Sequence, residues 1–277
     1  MAERRRPRPR SARVARTERL SASLVRVVVT GEEFDGFAPE QADSYVKVMF
    51  LHPGVEYPRP IDLEQIRAEL PQEAWPRLRT YTVRGFDAER AELTLDFVVH
   101  GDVGLAGPWA AAAQPGDEVL LQGPGGGYSP SPDADFHLLA GDESALPAIA
   151  VALERMPPGA HVQAFVEVHG PGDEIELAVP DGATLTWLHR GAGEVGGRLV
   201  DAVTQWPVPE GAGHWFVHGE AGAVKQLRRY LRVERGLPMD ALSISGYWRV
   251  GVDDEGWRAV KRDWNREVEE SERVAAS

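Results

Sequence analysis

The pattern of the chain changes at Gly123-Pro124-Gly125-Gly126-Gly127-Tyr128-Ser129-Pro130-Ser131-Pro132. Glycine and proline interrupt regular elements, and a run this rich in both is typical of a boundary between domains. Before this run, short apolar stretches are separated by turn residues. Beyond it, strand patterns and helix patterns alternate. The sequence therefore predicts two domains of different class, which suits a length of 277 residues.

The segment before the boundary is predicted to be a small antiparallel β domain. Its strand patterns lie at Leu24–Thr30, Tyr45–Leu51, Arg79–Arg84, Leu93–His100 and Glu118–Gln122. A Pro-rich excursion between the second and third of these holds one short helix pattern, Asp62–Leu70. Short strands with turns between them and few helices indicate a barrel or a sandwich.

The segment after the boundary is predicted to be an α/β domain. Strand patterns lie at Phe136–Ala140, Val162–Val168, Thr184–His189, Trp215–His218 and Leu242–Ser245. Helix patterns lie between them at Ser144–Arg155, 197–205 and Ala221–Arg235. Such alternation implies a parallel sheet, which binds ligands at the carboxyl ends of its strands. Those ends carry Gly141-Asp142-Glu143-Ser144, Glu167 and Gly219-Glu220-Ala221-Gly222.

Composition excludes several classes of site. The chain has no cysteine, so disulfides, thiolate zinc sites, cysteine-ligated iron–sulfur clusters and a cysteine nucleophile are all excluded. The eight histidines show no metal-ligand spacing, and no metal site is predicted; His189, His214 and His218 are expected to be strand-end or core residues. No apolar run approaches the roughly 20 residues of a membrane span, and a cytoplasmic protein is expected.

Charge is distributed unevenly along the chain. The first twenty residues hold eight Arg and two Glu, although the whole chain carries a formal charge of −13. Residues 1–19 are predicted to be a disordered basic arm on an acidic body. An acidic body argues against nucleic-acid binding, and an anionic ligand would need a local basic pocket.

Two short motifs suggest a cofactor site. In Arg79-Thr80-Tyr81-Thr82-Val83-Arg84, strand alternation puts Arg79, Tyr81 and Val83 on one face and the other three residues on the opposite face. A cation, an aromatic ring and nearby donors suit a flavin, although the hexapeptide alone is equally an ordinary half-exposed strand. The Gly-rich stretch from His100 to Ala110 lets backbone N–H groups approach an anion, or is simply a β-to-α turn.

Taken in order, the motifs of the chain resemble one family. They are Arg79–Arg84, Asp96–Gly101, Gly104–Ala110, Pro115–Asp117, Gly123–Gly126, Gly141–Ile149, Gly219–Ala223 and Ser245–Arg249. This order is similar to that of the siderophore-interacting proteins, which are ferric-siderophore reductases within the ferredoxin-reductase-like flavoproteins. The resemblance covers roughly residues 20–262. It implies a Greek-key β-barrel FAD domain at 20–131 and a parallel-sheet α/β domain for NAD(P)H at 132–277.

The resemblance also implies roles for individual residues. It assigns FAD binding to Arg79, Tyr81, Thr82, Val98, His100, Ala106, Gly107 and Trp109. It assigns the nicotinamide cleft to Gly141, Asp142, Glu143, Ser144, Gly219 and Glu220. Lys47 and Arg249 resemble the basic residues that meet an anionic ferric siderophore. The family often has a hydroxyl residue where this chain has Gly107, and a basic residue where it has Pro108.

The activity implied is electron transfer from NAD(P)H through FAD to a ferric siderophore, with a ferredoxin as a possible other donor. No catalytic side chain is predicted.

Two alternative functions remain. One is a carrier that binds ferric siderophore without reducing it, and the other is a flavin reductase for another acceptor. Of three further features, the first two have two interpretations each. Glu143 and Glu167 are an acid–base pair or solvated strand ends, the basic run 225–235 is an exposed face or a phosphate site, and Asp253–Glu255 is interpreted as a solvated turn.

Overall fold

The chain forms two compact units. A computed structural model describes residues 8–102 and 104–275. The first unit comprises the chain up to Arg19, Val25–Glu40 and Ser44–Gly126; the second comprises Leu20–Leu24, Gln41–Asp43 and the chain from Gly127 onward. The main division thus falls inside the glycine- and proline-rich run from which two domains were predicted.

The first unit is a closed antiparallel barrel. Its strands are β1 (Arg10–Arg19), β2 (Leu24–Thr30), β3 (Tyr45–Phe50), β4 (Arg77–Asp87), β5 (Glu92–Val98) and β6 (Glu118–Gly125). They close in the order β1-β2-β5-β4-β3-β6. Strands β3, β4 and β5 form a meander, and β6 returns to pair with β3, which is the Greek-key arrangement. The barrel alternative is therefore correct, and the sandwich alternative is not.

The prediction of a disordered arm over residues 1–19 is wrong for the part that the structure describes. Arg10–Arg19 forms β1, which pairs with β2 and β6 and so closes the barrel. Only Ala12 and Val14 of this strand are buried, so the arginines face outward and hide the strand pattern in the sequence. Residues 1–7 lie outside the described part of the chain.

Alternating residues fill the barrel. Val25, Val27 and Val29 of β2 and Leu93, Leu95 and Phe97 of β5 are all buried in one core. Two helices complete the unit: α1 (Leu63–Glu69) and α2 (Ala106–Ala112). Ile66 of α1 packs with Met49 and Leu120 in a second cluster, and Ala106 and Ala110 of α2 join the barrel core. Asp62 caps α1, accepting hydrogen bonds from Glu64 N and Gln65 N.

The second unit is a parallel five-stranded sheet. Its strands are β7 (Phe136–Asp142), β8 (Val162–Val168), β9 (Ala183–His189), β10 (Gly213–Glu220) and β11 (Leu242–Trp248). Their order is β11-β10-β7-β8-β9. The connecting helices are α3 (Leu146–Glu154), α4 (Gly197–Gln205) and α5 (Ala221–Arg229), and α5 runs on into a π-helical turn, Tyr230–Glu234. The predicted fold class, an antiparallel Greek-key barrel followed by a parallel-sheet α/β domain, is confirmed.

The interpretation of Asp253–Glu255 as a solvated turn is wrong. A 22-residue helix, α6 (Asp254–Ala275), begins there. Asp253 accepts a hydrogen bond from Gly256 N at 2.8 Å through Oδ1, and its carbonyl accepts one from Trp257 N. Trp257, Trp264 and Val268 of α6 are buried against Ala221 and Val224 of α5. The acidic triplet is therefore a helix start, where acidic residues stabilise the helix dipole.

Candidate functional site

Strand β4 carries three of the predicted FAD residues. Tyr81 and Val83 join the barrel core, and Arg79 lies on the same face of the strand by alternation. Thr82 is buried on the opposite face, where Tyr45 is its partner on β3. The structure therefore separates the predicted FAD residues of β4 between two faces, as the sequence pattern requires.

Phe97 brings β4, β5 and α2 together. The Tyr81 ring packs on Phe97 with centroids 4.1 Å apart, and the Trp109 ring packs on Phe97 at 5.4 Å. Tyr81 and Trp109 are only partly buried, so each ring rests on Phe97 and keeps exposed surface. Such pairs fix the orientation of both rings. The sequence did not single out Phe97, although its position in the middle of a quoted motif was available.

The Gly-rich stretch after β5 forms a close contact between two backbones. A Cβ atom added at Gly107 would lie 3.0 Å from the carbonyl oxygen of Val98, and Gly104 has φ +90°. The first turn of α2 therefore lies directly against Val98–His100, and His100 itself is exposed. Exposed ring surface, the Arg79 cation and backbone without side chains suit FAD, because it has a flat ring system and a pyrophosphate.

Lys47 lies beside Thr82. Lys47 pairs with Thr80 of β4, and the neighbouring Tyr45 pairs with Thr82, so Lys47 and Thr82 share the outer face of adjacent strands. Lys47 is partly buried. The structure thus brings one predicted substrate residue next to one predicted FAD residue. Arg249 belongs to the other unit, where it is exposed in the turn that follows β11.

In the second unit the predicted nicotinamide residues converge at the carboxyl edge of the sheet. Strands β7 and β10 are neighbours, and Gly141 pairs with His218. A Cβ atom at Gly141 would lie 2.5 Å from Ala145 Cβ and 2.7 Å from the His218 carbonyl oxygen. At Gly219, where φ is +139°, it would lie 2.6 Å from Asp142 Oδ2. Both glycines are required by this close approach of the two strand ends.

Asp142 is fully committed to internal hydrogen bonds. Its Oδ1 accepts from the backbone N and the hydroxyl of Ser144 at 2.9 and 2.5 Å. Its Oδ2 accepts from Glu220 N at 2.7 Å and from Trp248 Nε1 at 2.8 Å. Burial raises the pKa of the Asp142 carboxyl group, although the bonds from Ser144 and Trp248 oppose the rise. Asp142 therefore ties β7, β10 and β11 together.

Glu220, like Asp142, accepts hydrogen bonds from its own chain. Its Oε2 caps α5, accepting from Gly222 N at 2.5 Å and Ala223 N at 3.0 Å, and its Oε1 accepts from Val250 N at 3.2 Å. Asp142 and Glu220 are both buried. The structure brings Gly141–Ser144 and Gly219–Glu220 together as expected, with the carboxylates turned inward, so a ligand at this edge would meet mainly backbone.

The acid–base interpretation of Glu143 and Glu167 is not supported by their contacts. Arg190, which directly follows β9, lies 2.7 Å from Glu143 Oε1 and 4.0 Å from Glu167 Oε1. Glu143 also accepts from His169 N, and Glu167 accepts from Gly196 N and Leu199 N at the start of α4. Burial lowers the pKa of Arg190, but its hydrogen bond to Glu143 and the charges of Glu143 and Glu167 outweigh that effect, so the pKa is raised. The pair therefore organises the edge, and Arg190 could have been found by its place at a strand end.

Two histidines of the second unit, His137 and His218, are buried, and His214 is partly buried. His218 stacks on Phe216 with centroids 3.9 Å apart, and its Nε2 lies 2.9 Å from Ser243 Oγ. Burial lowers the pKa of His218 to about 3 and that of His137 to about 4. His214 accepts a hydrogen bond from Ser131 N through Nδ1. His218 is thus a core residue and His214 a partly buried strand-end residue, both as predicted, and His189 is an exposed strand-end residue paired with Glu174.

Among residues 8–102 and 104–275, no group of three or more potential ligands could hold a metal ion. The same described residues contain no helix that is long and apolar enough to cross a membrane.

The basic run at 225–235 is largely paired. Arg228 binds Glu272 of α6 at 2.5 Å, and Arg232 lies 3.9 Å from the same carboxylate. Arg229 lies 3.8 Å from Glu234. These contacts favour a structural role, in which α6 is anchored to α5 and to the π-helical turn that follows it, over the phosphate site considered for this run.

Two family models divide the chain between them. The siderophore-interacting FAD-binding domain matches residues 13–128, and the siderophore-interacting protein domain matches residues 134–251. The chain belongs to the siderophore-interacting protein family. The family predicted from the order of motifs is therefore confirmed, and the FAD-binding model matches the part of the chain that forms the barrel unit.

Several relatives cover nearly the whole chain. An uncharacterised protein of Mycobacterium tuberculosis is 47% identical over 94% of this chain and 95% of its own. The ferric vibriobactin reductase ViuB of Vibrio cholerae is 36% identical, covering 90% and 92%. An NADPH-dependent ferric-chelate reductase of Escherichia coli is 33% identical, covering 87% and 93%. The prediction of FAD and NAD(P)H as cofactors is confirmed by the FAD-binding family model together with this NADPH-dependent relative.

Solved structures agree with this placement. The siderophore-interacting protein SipS of Aeromonas hydrophila has a TM-score of 0.80 at 31% identity, covering 94% of this chain and 98% of its own. A ferredoxin NADP+ reductase of Neisseria gonorrhoeae has a TM-score of 0.60 at 13% identity, covering 87% and 99%, and shows the fold alone. The ferredoxin-reductase-like architecture is therefore confirmed.

Proposed function

We propose that this chain is an FAD-dependent reductase that passes electrons from NAD(P)H to Fe(III) held by a siderophore. The proposal is carried by the convergence on Phe97. Tyr81 and Trp109 rest on its ring, and Gly107 lies against the residues that follow it. A protein that only carries ferric siderophore has no need of a flavin-binding surface of this kind. The kinship with two ferric-chelate reductases supports the same conclusion.

The residues of the barrel would hold FAD by complementary chemistry. Arg79 would contact the pyrophosphate, the exposed surface of Tyr81 would pack on the ring system, and Gly107 would offer its backbone N–H. FAD, when bound, accepts a hydride from NAD(P)H and releases its two electrons one at a time. One NAD(P)H therefore reduces two equivalents of Fe(III), which is the substrate and not a resident metal.

The chain would contribute position and charge to the iron step. Siderophore oxygens are hard donors that favour Fe(III), so reduction loosens the complex and releases iron. Lys47, next to Thr82, would attract an anionic complex in a chain whose formal charge is −13. No side chain is required as a general acid or base for electron transfer to the metal, and we assign none.

The test separates the two half-reactions. Protein loaded with FAD is bleached anaerobically with NADH or NADPH, and a ferric siderophore is then added while the return of the flavin absorbance is followed. The proposal predicts bleaching followed by rapid recolouring. A protein that binds ferric siderophore but takes up no FAD would be a carrier. Bleaching that only another acceptor reverses would identify a different flavin reductase.

A variant pair examines the substrate side. Changing Lys47 to Ala is expected to raise the half-saturating concentration of an anionic ferric chelate roughly fivefold, the value of one charge contact of about 1 kcal/mol. Bleaching by NAD(P)H should stay unchanged. The matched control is Lys225→Ala, which removes an exposed lysine of α5. An equal effect of both variants would show that only net charge matters, and Lys47 would lose its role.

A further inference from the structure

Residues 127–135 lead from the barrel unit into β7, and we call them the connector. Its first two residues donate their backbone N–H groups to Asp43 Oδ1, each at 2.8 Å. Its last residue, Asp135, donates its N–H to the Ala212 carbonyl at 2.9 Å and accepts from Ala212 N at 2.7 Å through Oδ2. Asp43 and Ala212 belong to the sheet unit, so both ends of the connector are fixed to that unit.

The middle of the connector is held by one histidine. Pro130 and Pro132 have no N–H group, so Ser131 supplies the one backbone donor of the stretch 130–132. That N–H group donates to Nδ1 of His214, on β10, at 3.1 Å. The buried ring of Tyr128 packs on the same imidazole with centroids 4.9 Å apart. A hydrogen bond and a ring contact to one side chain therefore fix this part of the chain.

The bond from Ser131 requires that His214 is uncharged. Nδ1 accepts a hydrogen bond only while it carries no proton, and protonation would set two N–H donors against each other. The new charge would also lie beside His137, whose ring centroid is 5.9 Å away and whose Nδ1 atom is buried without a hydrogen-bond partner among the described residues. Burial lowers the pKa of His214, and burial together with the charge of His214 lowers the pKa of His137 to about 4.

The other charged groups on the elements around His214 are exposed. They lie in the connector, at the end of α3 and in the segments before β8, β10 and β11. Besides Asp135 they are Asp133, Glu154, Arg155, His161, Glu210 and Asp240. Charges in solvent are screened by salt, and burial is the cause that lowers the pKa of His214. The imidazolium form of His214 therefore has no counter-ion within the described part of the chain.

We propose that acid releases the middle of the connector, because His214 binds it when neutral and frees it when protonated. On release the imidazole meets water and regains the ordinary histidine pKa of about 6.5, which lies above its lowered value in the closed contact. The contact is therefore strongest above that pH and weakens as the pH falls below it. Between pH 7.5 and pH 5.0 its opening constant should rise by up to about thirtyfold. Asp43 and Asp135 need no histidine, so the ends stay fixed.

Hydrogen exchange at Ser131 tests this device in the full chain. Amide exchange is followed by mass spectrometry at pH 7.5 and pH 5.0, and each rate is divided by that of an unfolded peptide of the same sequence. The protection of Ser131 should fall at least about tenfold at the lower pH. Peptides from β8 report global unfolding of the sheet unit in the same samples. If Ser131 is no less protected than β8 at pH 5.0, opening is global and the local device does not exist.

A variant with an acceptor that does not titrate gives the sharper test. His214→Asn places an amide oxygen near the position of Nδ1, so the protection of Ser131 should change by less than about threefold between the two pH values. Ser131→Ala keeps the N–H group, and His161→Asn changes an exposed histidine of the same unit, so both should respond to pH as the wild type does.

Two results would overturn the proposal. One is equal protection of Ser131 at both pH values in the wild-type protein, which decides the question even if His214→Asn does not fold. The other is a loss of protection in His214→Asn as large as that in the wild type. The measurement needs no FAD, NAD(P)H or iron, so its outcome is independent of the proposed reductase activity.

Discussion

The aromatic site residues of the barrel unit and the carboxylates of the sheet unit differ in exposure. In the barrel, Tyr81 and Trp109 rest on Phe97 and remain partly exposed, and His100 is exposed. At the carboxyl edge of the sheet, Asp142 and Glu220 are buried and hydrogen-bonded to their own chain. Motifs of similar strength in the sequence therefore have different physical meanings in the two units.

The difference follows from what each architecture must stabilise. A closed barrel satisfies its backbone within the ladder, so side chains at its end are available to a ligand. A parallel sheet ends in orphan N–H groups at each helix start, and here carboxylates bind those groups at Ser144, Gly196 and Gly222. The carboxylates of the second unit are therefore expected to govern stability, and the residues of the first to govern FAD affinity.

The largest expected effect is selective loss of the sheet unit in acid. His137 and His218 are buried neutral, with pKa values lowered by burial to about 4 and about 3. Their stabilising effect is complete above the ordinary histidine pKa and is lost as the pH falls toward the folded values. Between pH 7 and pH 5 each should cost about 2 kcal/mol, roughly 4 kcal/mol together.

Urea unfolding at the two pH values, followed by probes in each unit, measures this loss. His218→Asn should remove about half of the pH dependence, whatever its effect at pH 7, because the residue no longer titrates. The control, His161→Asn, changes an exposed histidine of the same unit and should leave the dependence intact. Equal acid loss in the barrel, where none of the described histidines is buried, would contradict the comparison.

The second expected effect is at Asp142. Asp142→Ala leaves the donors of Ser144, Glu220 and Trp248 without their acceptor, which should cost about 3 kcal/mol of unfolding free energy. The loss should appear in the second unit alone, with the FAD content of the purified protein unchanged. Asp181→Ala, in an exposed loop, should change stability by less than about 0.5 kcal/mol. Loss of FAD from Asp142→Ala would show that the two units are not separable in this way.

The sequence predicted helices and strands better than it predicted the hydrogen-bond partners of individual side chains. Apolar alternation revealed β2, β3 and β5 because their inward residues are valine and leucine. It missed β1, whose pattern is only Ala12 and Val14 among arginines. It also missed α6, although Trp257, Trp264 and Val268 recur at helical spacing after the capping Asp253.

The site was predictable as a set of positions and not as a set of contacts. Strand order brought Gly141 and Gly219 to one edge, as the rule for parallel sheets requires. The partners of Asp142, however, include Trp248, which is 106 residues away along the chain. No local pattern reports such a bond, so a carboxylate that binds its own chain has the same sequence signature as one that binds a ligand.

The third expected effect is on FAD affinity. Arg79→Ala removes the cation proposed for the pyrophosphate, and a charge-assisted contact is worth about 2 kcal/mol, or about thirtyfold in the dissociation constant. Fluorescence titration of the FAD-free protein measures it, and the free energy of unfolding of the second unit should not change. Arg77→Ala, an exposed arginine of the same strand, is the matched control. If both variants bind FAD as the wild type does, Arg79 has no role in the site.

The smallest effect concerns the basic run of α5. Glu272→Gln removes the carboxylate that pairs with Arg228 and Arg232, and should cost about 1 kcal/mol because the contact is only partly shielded from water. Glu270→Gln, on the exposed face of the same helix, should cost almost nothing.

The kinetics of Glu272→Gln show whether the cations of the sheet unit, like its carboxylates, bind only to groups of their own chain. If Arg228 and Arg232 only anchor α6, the KM for NADPH and that for NADH should both stay within about twofold of the wild-type values. A fall in the KM for NADPH alone would mean that Glu272 normally neutralises a phosphate-binding pair. The 2′-phosphate is the group by which NADPH differs from NADH, so that outcome would make the basic run a ligand site. The contrast between a ligand-facing barrel and an inward-facing sheet edge would then hold only for the carboxylates.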